Sequence, residues 1–238
     1  MQVDKSEARV RRMFGEIAER YDFLNHLLSL GIDKYWRWRT VRRVPPVGEA
    51  PVLDLCTGTG DLAIAYFKAG GGRTPVVGCD FCHEMLVLGE RKRGRIAGGE
   101  RILLVEGDAQ RLPLESDYFQ IVSVAFGLRN VTDTDRGLAE MARVCQPGGK
   151  VAVLEFSMPR RQPFRAVYGW YFRNILPRIG QLLSRSRESA YNYLPESVGA
   201  FPSGEALAER MRAAGLVDIE LCPLTLGVAT LYVGTKEK

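Results

Sequence analysis

The feature that most constrains this chain is an alternation of buried strands and amphipathic helices that begins near residue 51. Such an alternation builds a mostly parallel sheet with helices on both faces. Its last two strands have no helix between them and must pair antiparallel. We therefore predict an α/β fold whose seven-stranded, mostly parallel sheet ends in an antiparallel hairpin. The predicted strands are 51–55, 75–80, 101–106, 119–126, 150–156, 217–222 and 228–235, with helices at 60–69, 83–93, 134–144 and 204–214.

Two segments stand outside this alternation. Helical patterns at 8–30 and 34–43 precede the first strand. We expect residues 1–45 to cap the ligand-binding site of the sheet. Residues 157–195 follow the carboxyl end of a strand, where open α/β sheets place their ligand loops. The chain of 238 residues suits one domain, so we predict a single domain over 1–238, with 157–195 as an insertion.

Composition limits the location and the partners. No apolar run reaches the roughly 20 residues needed to cross a bilayer, and the charged amino terminus has no apolar signal core, so we predict a cytoplasmic protein. The net charge of +5 favours an anionic partner, either nucleic acid or a membrane surface. The five cysteines are scattered and complete no metal site.

A glycine-rich loop follows the first strand. Gly58, Thr59 and Gly60 fit the pattern that binds a dinucleotide, and the same pattern serves S-adenosylmethionine. A dinucleotide places its pyrophosphate at the start of the following helix, where Asp61 would repel it. Since S-adenosylmethionine carries a sulfonium and an ammonium instead, the pair Asp54 and Asp61 favours S-adenosylmethionine as the cofactor.

Acidic residues also end the next two strands. Asp80 lies at the distance along the chain expected for binding ribose hydroxyls. Asp108 can accept a hydrogen bond from an adenine amino group, and Ala109 offers its backbone N–H, although Asp108 alone would suit a turn equally well. The whole pattern is typical of the Rossmann-like fold of class I S-adenosylmethionine-dependent methyltransferases. The predicted cofactor-binding residues are Asp54, Gly58, Thr59, Gly60, Asp80, Asp108 and Ala109.

Several longer motifs make the resemblance more specific. The specific ones are Tyr21-Asp22-Phe23-Leu24-Asn25, Phe126-Gly127-Leu128-Arg129-Asn130 and Tyr193-Leu194-Pro195-Glu196-Ser197. The turn Pro147-Gly148-Gly149 also matches but is common to many methyltransferases. With these motifs the chain resembles the ubiquinone/menaquinone biosynthesis C-methyltransferases over nearly its whole length. It departs from the family pattern at Leu24, Asp33, Ala125 and Cys145-Gln146, none of which removes a glycine or an acidic cofactor residue.

The resemblance implies an enzyme that transfers a methyl group to a ring carbon of a polyprenyl quinol. The menaquinone branch, in which a 2-polyprenyl-1,4-naphthoquinol (demethylmenaquinol) becomes menaquinol, is the first expectation, and the benzoquinol of ubiquinone biosynthesis is the alternative. The family implies catalytic roles for Arg129 and Asn130, and Tyr21 is a further candidate to bind a quinol oxygen. The structural alternatives are a surface salt bridge for Arg129, a turn for Asn130 and a core aromatic for Tyr21.

The two histidines receive structural expectations. His26 lies close to Tyr21 on the first predicted helix, and a half-buried structural role is expected. His83 is expected to start a helix.

The 157–195 segment is both basic and aromatic. Because a polyprenyl tail is almost insoluble in water, we expect the enzyme to meet its substrate at the inner face of a membrane, as a peripheral protein. The segment is then a membrane-facing surface, a lid or a dimer interface, which leaves a homodimer possible. Its basic residues are Arg160, Arg161, Arg165, Arg173, Arg178, Arg185 and Arg187.

Two other functions compete with quinol methylation. A nucleic-acid methyltransferase would use the basic segment on phosphates, but the chain has Phe126-Gly127-Leu128-Arg129 where base amino methylases carry an Asn-Pro-Pro motif. We therefore expect no nucleic-acid partner. A cofactor-binding subunit without activity is the other alternative, and the intact Arg129-Asn130 pair argues against it.

Overall fold

Seven strands form one sheet in the computed structural model of the chain, which describes residues 4–159, 161–184 and 190–238. The strand order is β3-β2-β1-β4-β5-β7-β6. Strands β1 to β5 are parallel to one another, and β7 runs antiparallel between β5 and β6. The strands are β1 (Val52–Leu55), β2 (Val76–Asp80), β3 (Ile102–Glu106), β4 (Phe119–Ala125), β5 (Cys145–Phe156), β6 (Leu216–Leu224) and β7 (Ala229–Lys236).

The order of the strands creates a crevice at the carboxyl end of β1. From β1 the chain moves outward to β2 and β3, then returns to the other side of β1 to form β4 and β5. The loops after β1 and β4 therefore diverge, and open α/β sheets bind ligands at such a point. All four residues of β1 are buried, as expected for a central strand covered on both faces.

Helices cover both faces of the sheet and its carboxyl edge. The first two and the insertion surround the crevice after β1, and α6 and α7 are joined by a π-helical turn at Tyr171–Ile175. The helices are α1 (Glu7–Leu28), α2 (Ile32–Arg43), α3 (Asp61–Ala69), α4 (His83–Arg93), α5 (Thr134–Val144), α6 (Phe164–Trp170), α7 (Leu176–Ser184), α8 (Ala190–Ala200) and α9 (Glu205–Ala213).

The predicted fold is confirmed, including the antiparallel pairing of the last two strands. The main difference is that β5 begins at Cys145 rather than at residue 150. Cys145 already pairs with Phe119 of β4, and the pairing of β4 with β5 is then interrupted by a shift in register. The position of β7 between β5 and β6 was not predicted, since it depends on which sheet edge the hairpin joins. Within the insertion, Arg160, Arg185 and Arg187 lie outside the described residues.

Among the described residues, no helix combines the length and the apolar character needed to cross a bilayer.

The turn that leads into the paired part of β5 gives a test of packing. A Cβ atom at Gly149 would lie 2.7 Å from Sγ of Cys145 and 2.9 Å from the backbone oxygen of Gln120. We expect Gly149→Ala to lower the free energy of unfolding by about 1–3 kcal/mol, because the backbone must shift to make room. Urea denaturation measures the change. Gly199→Ala is the control, since nothing lies within 4 Å of its added Cβ, and equal effects of the two variants would contradict the prediction.

Candidate active site

The glycine loop after β1 is held by a carboxylate from the neighbouring strand. Gly58 and Gly60 have φ angles of 56° and 83°, in the left-handed region that favours glycine. The backbone N–H of Gly58 donates to Oδ2 of Asp80, 2.8 Å away, and the N–H of Cys82 donates to Oδ1. Burial raises the pKa of Asp80, while these backbone donors oppose the increase. Asp80 therefore fixes the shape of the loop as well as lining a cavity.

A small cavity of about 60 Å³ lies beside Asp80 at the ends of β2, β3 and β4. Three of the predicted cofactor residues, Asp80, Asp108 and Ala109, line it together with Gly58. Asp108 also accepts a hydrogen bond from the backbone N–H of Gln110 at 2.9 Å. The turn that was the alternative role for Asp108 is therefore present, in addition to its place in the cavity wall. The described lining includes carboxylates but no lysine or arginine. This chemistry fits a nucleoside without phosphate and disfavours a pyrophosphate.

Asp54 lines the second, larger cavity but is nearly inaccessible, with 1% of its surface exposed. Its two oxygens accept the hydroxyls of Thr57 at 2.7 Å and Ser123 at 2.9 Å. Burial raises the pKa of Asp54 to about 7, although those hydroxyls and the backbone of Ala63 favour the charged form. Asp54 therefore stabilises the glycine loop through these hydrogen bonds, and both of its oxygens already have a partner.

The expectation that Asp54 and Asp61 together suit a cationic donor stays a prediction, but Asp61 has cationic partners within the protein. Asp61 is bound by Lys92 and by Arg37, whose guanidinium lies 3.0 Å from Oδ2. Asp54 instead accepts hydrogen bonds from neutral hydroxyls. The cations that bind Asp61 come from two helices distant in sequence, α2 and α4.

Thr59 takes part in the same network. Its hydroxyl donates to Oδ1 of Asp22 at 2.6 Å and accepts from Nζ of Lys92 at 2.8 Å. Lys92 also pairs with Asp22 at 2.7 Å. These contacts fasten α1 to the glycine loop, so the loop and the amino-terminal helices form one wall.

The larger cavity, of about 370 Å³, lies between the glycine loop, α1, α2 and the insertion. One side is polar and holds the ion pairs of α1 to α3, whereas the other is aromatic. The rings of Phe126 and Phe156 lie 4.4 Å apart, and Trp36 packs against both. Both cavities are lined by Phe14, Tyr21, Cys56, Gly58, Ala125 and Phe126. The two spaces therefore share a wall at the end of β1.

The three predicted catalytic residues surround this shared wall. Tyr21 lines both cavities, Arg129 the larger one and Asn130 the smaller one. The structural alternative for Arg129 was a surface salt bridge. Instead, Arg129 is buried, with 6% of its surface exposed, and pairs with Glu155 at 3.0 Å. It also donates to the backbone oxygen of Phe126.

Unpartnered polar atoms mark the same walls. Four buried side-chain N or O atoms have no hydrogen-bond partner among the described residues, and three belong to cavity-lining residues. Buried polar atoms without partners are rare in folded proteins and point to a polar ligand. The three are Nε of Arg129, Oδ1 of Asn130 and the hydroxyl of Tyr193.

The charged residues of the ion-pair network beside the larger cavity were not predicted from the sequence. Asp22 belongs to a motif that was quoted without a role, and Asp33 and Arg37 have the i, i+4 spacing of a helical ion pair. That spacing was a usable signal. Lys92 gave none, because its partners lie on other helices. His26 is half-buried as expected and binds Asp33 through Nδ1, and His83 begins α4.

The sheet order, the glycine loop and the carboxylates at the ends of β2 and β3 together define a class I methyltransferase. A solved methyltransferase from Thermotoga maritima, described as S-adenosylmethionine-dependent and possibly acting on histamine, has this fold. It superposes with a TM-score of 0.65 at 17% identity, over 94% of this chain and 99% of the other.

The chain belongs to the ubiE/COQ5 methyltransferase family, whose model matches residues 1–236. A ubiquinone/menaquinone biosynthesis C-methyltransferase UbiE from Geobacter sp. (strain M21) is 44% identical over 96% of both chains. A demethylmenaquinone methyltransferase from Deinococcus radiodurans is 46% identical over 98% of this chain and 94% of its own. The family predicted from the sequence motifs is thereby confirmed.

Asp54 gives the fold a measurable pH dependence. Because its pKa is about 7 when folded and about 3.9 in an unfolded chain, the folded protein retains a proton between these values that the unfolded chain has released. This contribution to stability is present below about pH 4 and is lost as the pH rises to about 7. We expect Asp54→Asn to gain stability relative to wild type over that range, as measured by urea denaturation at several pH values. A difference that does not change with pH would contradict the prediction.

Proposed function

We propose that this enzyme transfers a methyl group from S-adenosylmethionine to a ring carbon of a 2-polyprenyl-1,4-naphthoquinol, converting demethylmenaquinol to menaquinol. The observation that carries the proposal is the pair of cavities with a common wall, one lined by carboxylates and the other by aromatic rings. The family and the relatives' names support a quinol as the acceptor.

The residues around the smaller cavity fit the donor. Asp80 would bind the ribose hydroxyls, and Asp108 with the backbone of Ala109 would bind the adenine. Gly58, Thr59 and Gly60 let the backbone approach closely, while Asp54 holds the loop in place. S-adenosylmethionine supplies an electrophilic methyl group on a sulfonium.

The larger cavity would hold the quinol ring. Phe126, Phe156 and Trp36 provide aromatic faces on which a bicyclic ring can pack. A guanidinium does not give up its proton, so Arg129 would not act as a base. It would instead stabilise the phenolate through its unpartnered Nε. Asn130 and Tyr21 would orient quinol oxygens. Holding the ring against the shared wall places its carbon beside the donor, which is a positioning effect.

An activity assay tests the proposal. The purified enzyme is supplied with S-adenosylmethionine and either demethylmenaquinol with a short prenyl tail or the matching prenyl benzoquinol, and methylated product is measured by mass spectrometry. We expect a higher kcat/KM for the naphthoquinol. A higher value for the benzoquinol would establish the ubiquinone branch instead. Donor binding without turnover of either quinol would support a cofactor-binding subunit.

Arg129 provides a sharper test of the catalytic wall. Arg129→Lys keeps a positive charge for Glu155 but removes the Nε–H donor, and we expect kcat to fall by about 10²- to 10³-fold. Affinity for the donor, measured by calorimetry, should remain unchanged. Arg143→Lys is the matched control, since Arg143 pairs with Glu140 away from both cavities. Turnover of Arg129→Lys equal to wild type would contradict the role of Arg129.

The mouth of the larger cavity suggests where the prenyl tail leaves. Leu30 lines the cavity and is 84% exposed, and Leu226, 71% exposed, lies between the cavity-lining Thr225 and Val228. Exposed aromatic residues also lie on α1, α2 and α6, namely Phe23, Tyr35, Trp38 and Trp170. Exposed basic residues lie on α2 and in the insertion, namely Lys34, Arg39, Arg42, Arg161, Arg165, Arg173 and Arg178. Exposed apolar and basic side chains on the same elements fit the interface of an anionic bilayer. The insertion over 157–195 would then serve both as a lid and as part of this surface.

Vesicle binding tests this surface. Because both leucines have positive φ angles, which asparagine tolerates, the double variant Leu30→Asn/Leu226→Asn preserves the backbone while removing apolar contact. We expect it to bind vesicles containing phosphatidylglycerol at least about tenfold more weakly in a flotation assay. Val217→Asn, which changes an exposed apolar residue on β6, is the control. Equal binding by both variants, or equal binding of wild type to neutral vesicles, would contradict the membrane assignment.

A further inference from the structure

The larger cavity has one histidine in its described lining, and a buried carboxylate holds the ring of that histidine. Nδ1 of His26 lies 2.7 Å from Oδ2 of Asp33. The side chain of Asp33 is 6% exposed, whereas that of His26 is 31% exposed. Asp33 is itself fixed, because it accepts the hydroxyl of Ser29 at 2.7 Å and pairs with Arg37.

This contact sets the role of each ring nitrogen. When Nδ1–H of a neutral imidazole donates to a carboxylate, Nε2 becomes the proton acceptor. Nε2 of His26 has no hydrogen-bond partner among the described residues. A histidine oriented by a carboxylate, with its second nitrogen available, is the usual arrangement of a general base.

Charged side chains surround the pair of His26 and Asp33. The described network contains three carboxylates and two cations, which gives a net charge of −1. A positive charge formed on this ring would therefore be accompanied by an excess of carboxylates. The network consists of Asp22, Asp33, Asp61, Arg37 and Lys92.

The other titratable groups of the cavity wall suit this task less well. Burial raises the pKa of Tyr21, Tyr168 and Cys56, so each keeps its own proton near neutral pH. Asp22 and Asp61 are bound by Lys92. Asp33 lies behind the imidazole, Asp54 accepts two hydroxyls, and Arg129 cannot act as a simple base.

We propose that His26, oriented by Asp33, is the general base that removes the proton from the quinol hydroxyl next to the acceptor carbon. The inference rests on the proposed function. The O–H bond breaks, its electron pair stays on oxygen, and an N–H bond forms at Nε2. The ring carbon then takes the methyl group from the donor, and the electron pair of the broken C–S bond stays on sulfur in S-adenosylhomocysteine. The imidazolium returns its proton to the oxygen when the methylated carbon loses its own proton to water and the ring regains aromaticity.

The proposal requires a particular pH dependence. A general base must be neutral to act, so kcat/KM should fall as the solution becomes more acidic across the range in which histidines titrate, about pH 8 to 5. The titratable and charged groups that face this region are Asp22 of α1, Asp33 and Arg37 of α2, Asp61 of α3, Lys92 of α4 and Tyr171 of the π-helical turn.

Three substitutions test the proposal in the full-length enzyme with demethylmenaquinol. We expect His26→Gln to lower kcat by about 10²- to 10⁴-fold, to remove the acidic limb of the pH profile and to leave donor affinity unchanged. Asp33→Asn should cause a smaller loss of kcat, about 10- to 100-fold, because the ring loses its orientation but keeps its acceptor. His83→Gln is the control, since His83 is a surface residue that pairs with Glu106, and it should behave as wild type.

Chemical rescue separates a base from a structural residue. Added imidazole should restore part of the turnover of His26→Ala, because it can replace the missing base. It would not restore turnover that was lost through a packing defect. Wild-type kcat and an unchanged acidic limb in His26→Gln, or no rescue of a folded His26→Ala enzyme, would overturn the assignment. A wild-type enzyme without activity on either quinol would instead contradict the proposed function.

Discussion

The arrangement of this active site depends on a carboxylate that joins the ends of two neighbouring strands. Asp80 at the end of β2 accepts the N–H of Gly58 at the end of β1, and this contact holds a loop whose glycines have positive φ angles. Because β1 lies at the centre of the sheet, the loop it shapes borders both cavities. The carboxylate that is proposed to bind the ribose therefore also holds the loop beside it in shape.

A chain of ion pairs extends this core outward to the amino-terminal helices. Lys92 of α4 joins Asp22 of α1 to Asp61 of α3, and Arg37 of α2 joins Asp61 to Asp33. Partly buried pairs of this kind cost desolvation free energy, so their contribution lies more in fixing geometry than in stability. The network sets the polar side of the larger cavity and the orientation of the His26 ring.

Local patterns in the sequence predicted the elements that build the sheet, and the long motifs predicted the family. They did so because strand and helix periodicity, turn glycines and helix-starting residues act over short distances. The position of β7 between β5 and β6 was not predictable in this way, since it depends on which edge the hairpin meets. The ion pairs of Asp61 and the burial of Arg129 against Glu155 were missed for the same reason: both partners come from other elements. Charges can be counted in a sequence, but their compensation requires the fold.

The exposed position of Leu30 at the opening of the larger cavity bears on substrate selection. In the proposed binding mode, the bicyclic head group and the start of its side chain occupy the space of about 370 Å³, and the rest of the tail passes Leu30. In that mode the described walls contact only the first part of the tail. Selection would then depend on the head group and not on the number of isoprene units, so the upstream prenyltransfer step would decide which homologue the cell accumulates.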